Sequence, residues 1–127
     1  MAAEGDTPHL PAQVPIDAYG HGGFRFGGMS HRGSLLCLPD GVWGWPAASV
    51  AELSEPSLAQ VLAFAGRIEF CLLGTGRDPW AMPESLRGHF RQRGMSVDTM
   101  PTGAAVRTYN ILLAENRRVA AALIAVE

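Results

Sequence analysis

The chain has 127 residues, 47% of them apolar and 17% charged, with a net charge of −2. That length suits one domain burying roughly two-thirds of its unfolded surface, and the apolar share excludes a disordered chain. The charge balance supplies no electrostatic footprint for nucleic acid or anionic lipid, although all ten cations are Arg, planar forks suited to carboxylates and phosphates.

Residues 1–15 are Pro-rich and aperiodic and read as a mobile N-terminal arm ahead of a single domain over residues 16–127. Glu4 and Asp6 stand where a signal or transit peptide would be basic or apolar. No stretch approaches a membrane span, so a cytoplasmic location is expected. Short β pieces follow at Ile16 to Tyr19, Phe24 to Phe26 and Met29 to His31, with Gly22-Gly23 and Gly27-Gly28 as turns of an N-terminal β-hairpin or meander. Ser34 to Leu38 is a continuous apolar run, hence a strand covered on both faces. Pro39-Asp40-Gly41 then turns into Val42-Trp43-Gly44-Trp45.

A first helix is expected from Ser54 to Gly66, with Ser54 as cap and Leu58, Val61, Leu62 and Ala65 on one apolar face. Ile68 to Leu73 reads as a buried strand, and Pro83 to Gly94 as a second helix showing Leu86 and Phe90 to the core. Met95 to Met100 is another strand. A third, nearly all-apolar helix runs from a Thr102 cap to Glu115, and Val119 to Val126 closes the chain. Strand-helix-strand-helix-strand order implies an α/β architecture with parallel core strands, flanking helices and right-handed crossovers. The short connection into the last strand leaves an antiparallel return open.

Two loops leave the carboxyl ends of these strands, Gly74-Thr75-Gly76-Arg77-Asp78 and Pro101-Thr102-Gly103-Ala104-Ala105, where open α/β sheets place their crevices. Gly74-Thr75-Gly76 lacks both the dinucleotide and the P-loop spacing, so it is either plain turn chemistry or an anion cradle. Arg107 is the anomalous residue, a cation early in an apolar helix. Either it sits in a mostly buried ion pair with Asp98, Asp78 or Glu69, or it lines an anion or carboxylate crevice with Thr75, Arg77, Thr102 and Asn110.

Trp43 and Trp45 alternate and share one strand face. They either close over the sheet or, with Trp80 in its loop, form aromatic anchors for a protein partner. Cys37 and Cys71 fall inside apolar runs and read as buried thiols. His21, His31 and His89 share no metal-ligand spacing, and no acid–base pair or nucleophile elbow is visible. No catalytic residue, metal or cofactor is therefore assigned.

The chain resembles the Mth938-like (DUF498/DUF598) family over about residues 16 to 126. The resemblance rests on Tyr19-Gly20 with Gly22-Gly23-Phe24-Arg25, Leu38-Pro39-Asp40-Gly41-Val42, and Leu72-Leu73-Gly74-Thr75-Gly76. It continues through Thr102-Gly103-Ala104-Ala105 with Arg107-Thr108-Tyr109-Asn110, and Arg118-Val119-Ala120-Ala121-Ala122-Leu123-Ile124. Val106 stands where some relatives have Cys. The resemblance implies a three-layer α/β fold with a mixed central sheet. The family includes a mitochondrial respiratory complex I assembly factor, so it also implies a non-enzymatic interaction protein whose partners are respiratory-complex subunits or assembly proteins. The alternative is a small-molecule or anion binder, enzymatic or not, using the crevice around Arg107.

Overall fold

Two sheets organise the chain, and a computed structural model describes residues 7–127 of it. The first is an antiparallel meander of β1 (Ile16–Gly20), β2 (Gly23–Phe26) and β3 (Met29–Arg32). Its turns are His21-Gly22 and Gly27-Gly28, all four residues at positive φ, as two-residue hairpin loops matching the strand twist require. The first turn thus lies one residue earlier than the glycine pair suggested. Gly23 belongs to β2, where a Cβ would strike the His31 carbonyl across the ladder.

The second sheet has the order β5-β4-β8-β6-β7, built from β4 (Ser34–Leu38), β5 (Gly41–Trp45), β6 (Phe70–Gly74), β7 (Ser96–Met100) and β8 (Val119–Leu123). β6 is parallel to both β7 and β8, whereas β4 is antiparallel to β5 and β8. The last strand therefore returns parallel to its neighbour β6, and the antiparallel return left open is not taken.

Alternation along the central strands divides two cores. Leu36, Leu38, Leu73, Ala120 and Ala122 face one side, with Leu58, Val61 and Leu62 and with Leu86 and Phe90 of helix α2 (Glu84–Gln92). Leu35, Cys37, Leu72, Ala121 and Leu123 face the other, against Ala105, Val106 and Tyr109 of helix α3 (Thr102–Ala114) and Phe24 and Phe26 of the meander. The result is three layers around a mixed sheet.

Two expectations are corrected in detail. The first helix is a 3₁₀ turn, Pro56–Leu58, leading into a single α turn α1, Ala59–Leu62. Ser54 and Ser57 exchange side-chain-to-backbone bonds that fix this tight entry, and Phe64 and Ala65 return to i→i+3 bonding, leaving Ala65 exposed. Thr102 is the first residue of α3 rather than its cap, a position taken by Pro101.

The segment expected as an arm is bonded to the main sheet from His9 onward; residues 1–6 lie outside the described residues. His9 N–H donates to the Val42 carbonyl (2.7 Å), and Val42 N–H to that of Leu10 (3.1 Å). The Gln13 amide donates to the Val119 carbonyl (2.7 Å) and the Tyr109 hydroxyl to that of Val14 (2.9 Å). These are isolated polar contacts without periodicity, which pattern reading does not register.

Candidate functional site

From β6 the chain crosses through α2 to β7, then back through α3 to β8 on the other side of β6. The direction of winding reverses between β6 and β8, and their carboxyl ends form the topological switch point where open α/β sheets take ligands. Here Thr102 fills it. The Thr102 hydroxyl donates to the Ile124 carbonyl (2.7 Å) and accepts from Gly76 N–H (2.9 Å), while Thr102 N–H donates to the Gly76 carbonyl (2.8 Å). Thr102 has no exposed surface. Gly74 lacks a Cβ where one would press on Thr102 Oγ1 and Cα and on Leu123, so only glycine lets α3 start this close to β6.

The remaining residues of the expected crevice separate around this plug. The Thr75 hydroxyl is turned inward, donating to the Asp78 carbonyl (2.6 Å) and closing its own turn. Asn110 lies further along α3 and clamps β1: Ile16 N–H donates to Asn110 Oδ1, and Asn110 Nδ2 donates to the Ile16 carbonyl, both at 2.9 Å. Arg77 and Arg107 reach the surface and line the same cavity, of about 340 Å³. A second cavity, about 280 Å³, lies beside Ser49, Thr75, Arg77 and Trp80.

Arg107 is exposed rather than buried. α3 buries Thr102, Ala105, Val106 and Tyr109, an i, i+3, i+4, i+7 face that leaves Arg107 and Ile111 on the opposite side. Among the described residues no carboxylate pairs with it: Glu69 meets Arg117 at 3.6 Å. The apolar run suggested burial all round, but α3 is covered on one face only and Ile111 is 59% exposed.

A further residue joins the cavity without a strong sequence signal. Tyr19 of β1 is 43% exposed, and its hydroxyl rests where a Cβ on Gly103 would stand. The only clue was an apolar residue at an outward position of β1, together with a glycine in the first turn of a helix.

The three tryptophans pack on the α1–α2 side of the sheet. Trp45 is buried, its indole N–H donating to the Ser57 carbonyl (2.8 Å). Trp43 is half-buried and donates to Asp40 Oδ1 (2.9 Å), and Trp80 is half-buried against the same core. Cys37 and Cys71 are free and buried, and burial pushes both thiols up to about 12, aided for Cys71 by the negative charge of Asp98. Burial likewise raises the phenol of Tyr109 beyond the ordinary tyrosine range, with Cys37 beside it adding to the effect. His31 Nδ1 and His9 Nε2 are hydrogen-bonded at 2.9 Å, and His89 lies 3.5 Å from Glu55. Among the described residues no three His, Cys, Asp or Glu side chains gather as a metal site, and no helix is long and apolar enough to cross a membrane.

The family model described as a protein of unknown function (DUF498/DUF598) matches residues 16–124, from β1 past the end of β8. The chain belongs to this family. An uncharacterized protein of Rhodobacter capsulatus is 37% identical over 117 residues, covering 92% of this chain and 89% of that one. NADH dehydrogenase [ubiquinone] 1 alpha subcomplex assembly factor 3 of Rattus norvegicus is 33% identical over 115 residues, 91% of this chain. The chain spans 62% of the length of that assembly factor. Among solved structures, a protein of Bartonella henselae titled an outer membrane protein is 50% identical, with a TM-score of 0.90 over 94% of this chain and 100% of that one. A Mth938-like domain protein of Bordetella pertussis superposes with a TM-score of 0.76 at 28% identity, over 98% of this chain and 92% of that one. This DUF498 chain thus shares the three-layer architecture of the Mth938-like proteins.

Proposed function

We infer that this DUF498 protein is a non-catalytic interaction factor that assists assembly of a respiratory complex of the NADH dehydrogenase type. The similarity to assembly factor 3 carries this reading, because it extends across nearly the whole fold rather than one motif. The structure supports it in two ways. The switch point is occupied by Thr102, and the two thiols are sealed in the core. The surface outside that plug combines the exposed Arg107 and Ile111 of α3 with Tyr19, a mixed apolar and cationic face suited to a protein partner. The partners are complex subunits or other assembly proteins, met in the cytoplasm or at the inner membrane's periphery.

The experiment is capture of the tagged protein from its own host after mild crosslinking, with mass spectrometry, alongside native gels of a deletion strain. Wild type is compared with Arg107→Met and Trp80→Ala. Recovery of complex subunits or assembly proteins, diminished in a folded variant, together with accumulated partial complexes in the deletion strain, is the expected result. A normal complex in the deletion strain, with no such protein recovered above background, would overturn the reading.

A further inference from the structure

The cavity between Arg77 and Arg107 is a place where the charge pattern is left incomplete. Both arginines line it, and among the described residues that form it there is no Asp or Glu. Asp78, next in sequence to Arg77, lines the neighbouring cavity, to which Arg77 also contributes. Neither arginine belongs to the ion pairs found among the described residues, which use Arg91, Arg93, Arg117 and His89. Like charges lining one cavity gain no attraction from each other. The pair of arginines at one cavity with no acid among its lining residues, in a chain of net charge −2, is the observation that points to an anion.

The geometry suits one. A helical side chain leans toward the helix N-terminus, so Arg107 extends back over Gly103 and Ala104, one turn earlier, which line the same cavity. The Tyr19 hydroxyl, against Gly103, adds a donor at the same rim. Pro101 and Ala104 supply an apolar wall.

We propose that the cavity between Arg77 and Arg107 is an oxyanion-binding site, taking the carboxylate or phosphate group of a small molecule, with both guanidinium groups and the Tyr19 hydroxyl donating to its oxygens. Planar forks match both groups bidentately, and charge-assisted bonds of this kind are the strong ones. The site shares Arg107 and Tyr19 with the face inferred above to meet a partner, but its test uses the isolated chain, so its outcome does not depend on that reading.

The full chain, uniformly nitrogen-labelled, is titrated separately with inorganic phosphate and with succinate at constant ionic strength, following the backbone amides and the arginine Nε–H signals. The expected result is saturable shifts centred on Gly76, Arg77, Gly103, Ala104 and Arg107, with one probe or both. Saturation by phosphate alone assigns a phosphate group, and saturation by succinate alone a carboxylate. Arg107→Met and Arg77→Met should each weaken binding by about tenfold or more. Both side chains are exposed, so the spectra of the variants should otherwise overlay on wild type; Arg→Gln at either position serves if a Met variant fails to fold. The absence of saturable shifts with either probe would overturn the proposal. So would shifts that persist unchanged when both arginines are replaced.

Discussion

Thr102 Oγ1 lies 2.7 Å from the Ile124 carbonyl oxygen and 2.9 Å from the Gly76 nitrogen, so one hydroxyl joins the first turn of α3 to the ends of both β6 and β8. The winding of the sheet reverses here, and a side chain occupies the space a ligand would take in other α/β proteins.

Replacing Thr102 with Val keeps the branched shape and removes both hydrogen bonds, leaving a buried N–H and a buried carbonyl unsatisfied. The expected loss is about 2–4 kcal/mol, read from the urea midpoint at unchanged slope. Thr102→Ser retains the hydroxyl and should lose much less. Equal stability of Thr102→Val and wild type would refute the stapling role.

Asn110 acts on a different element. Its amide bonds both polar backbone groups of Ile16, in place of a neighbouring strand. Asn110→Leu should cost about 1–3 kcal/mol and raise hydrogen exchange at the amides of β1 first, while the protection of β6 and β8 stays. Uniform loss of protection would mean that β1 does not open separately.

Trp45 and Trp43 share a strand face but differ in depth. Trp45→Ala should destabilise by about 3–5 kcal/mol, because a buried ring and its bond to the Ser57 carbonyl are lost together. Trp43→Ala should cost clearly less, its ring being half-buried and its N–H bonded to the exposed Asp40. Thermal melts of the two variants, run side by side, decide the order.

The buried thiols predict a pH dependence. Cys37 and Cys71 hold their protons to about 12 in the folded chain, against an ordinary value of 9.0. The folded state then binds these protons more tightly than the unfolded state does, so their stabilising contribution is complete below pH 9.0 and declines as pH rises toward 12. Urea midpoints should fall across that window, and less steeply in the Cys37→Ala, Cys71→Ala double variant. Some slope should remain, because the raised phenol of Tyr109 acts in the same direction. A profile unchanged by the double substitution would show that the thiols do not titrate on unfolding.

The regular parts of this fold announce themselves through hydrophobic spacing. Ser34 to Leu38 reads as a strand buried on both faces because nearly every position is apolar, and it is. Helix α2 is bounded by Pro83 and by Gly94 at positive φ, both explicit in the sequence. What spacing does not convey is which face of an apolar helix stays uncovered, and α3 misleads for that reason: Arg107 and Ile111 point outward while Thr102 is sealed in. Of the residues named for the expected crevice, Arg77 and Arg107 line one cavity. The inward roles of Thr75 and Thr102, and the attachment of Asn110 to β1, depend on single hydrogen bonds between residues distant in sequence. Such bonds leave no local pattern.

One consequence follows from how the main sheet ends. Along β5 the backbone of Val42 is paired with His9 and Leu10, and along β7 the Arg87 guanidinium donates to the outward Val97 carbonyl (3.0 Å). Neither border offers an uninterrupted row of free amides to template another chain's strand. A chain bordered in this way is kept from annealing to an unpaired strand of another chain through main-chain atoms. Any contact with another chain at these borders rests on side chains, and parting requires no strand to be peeled away.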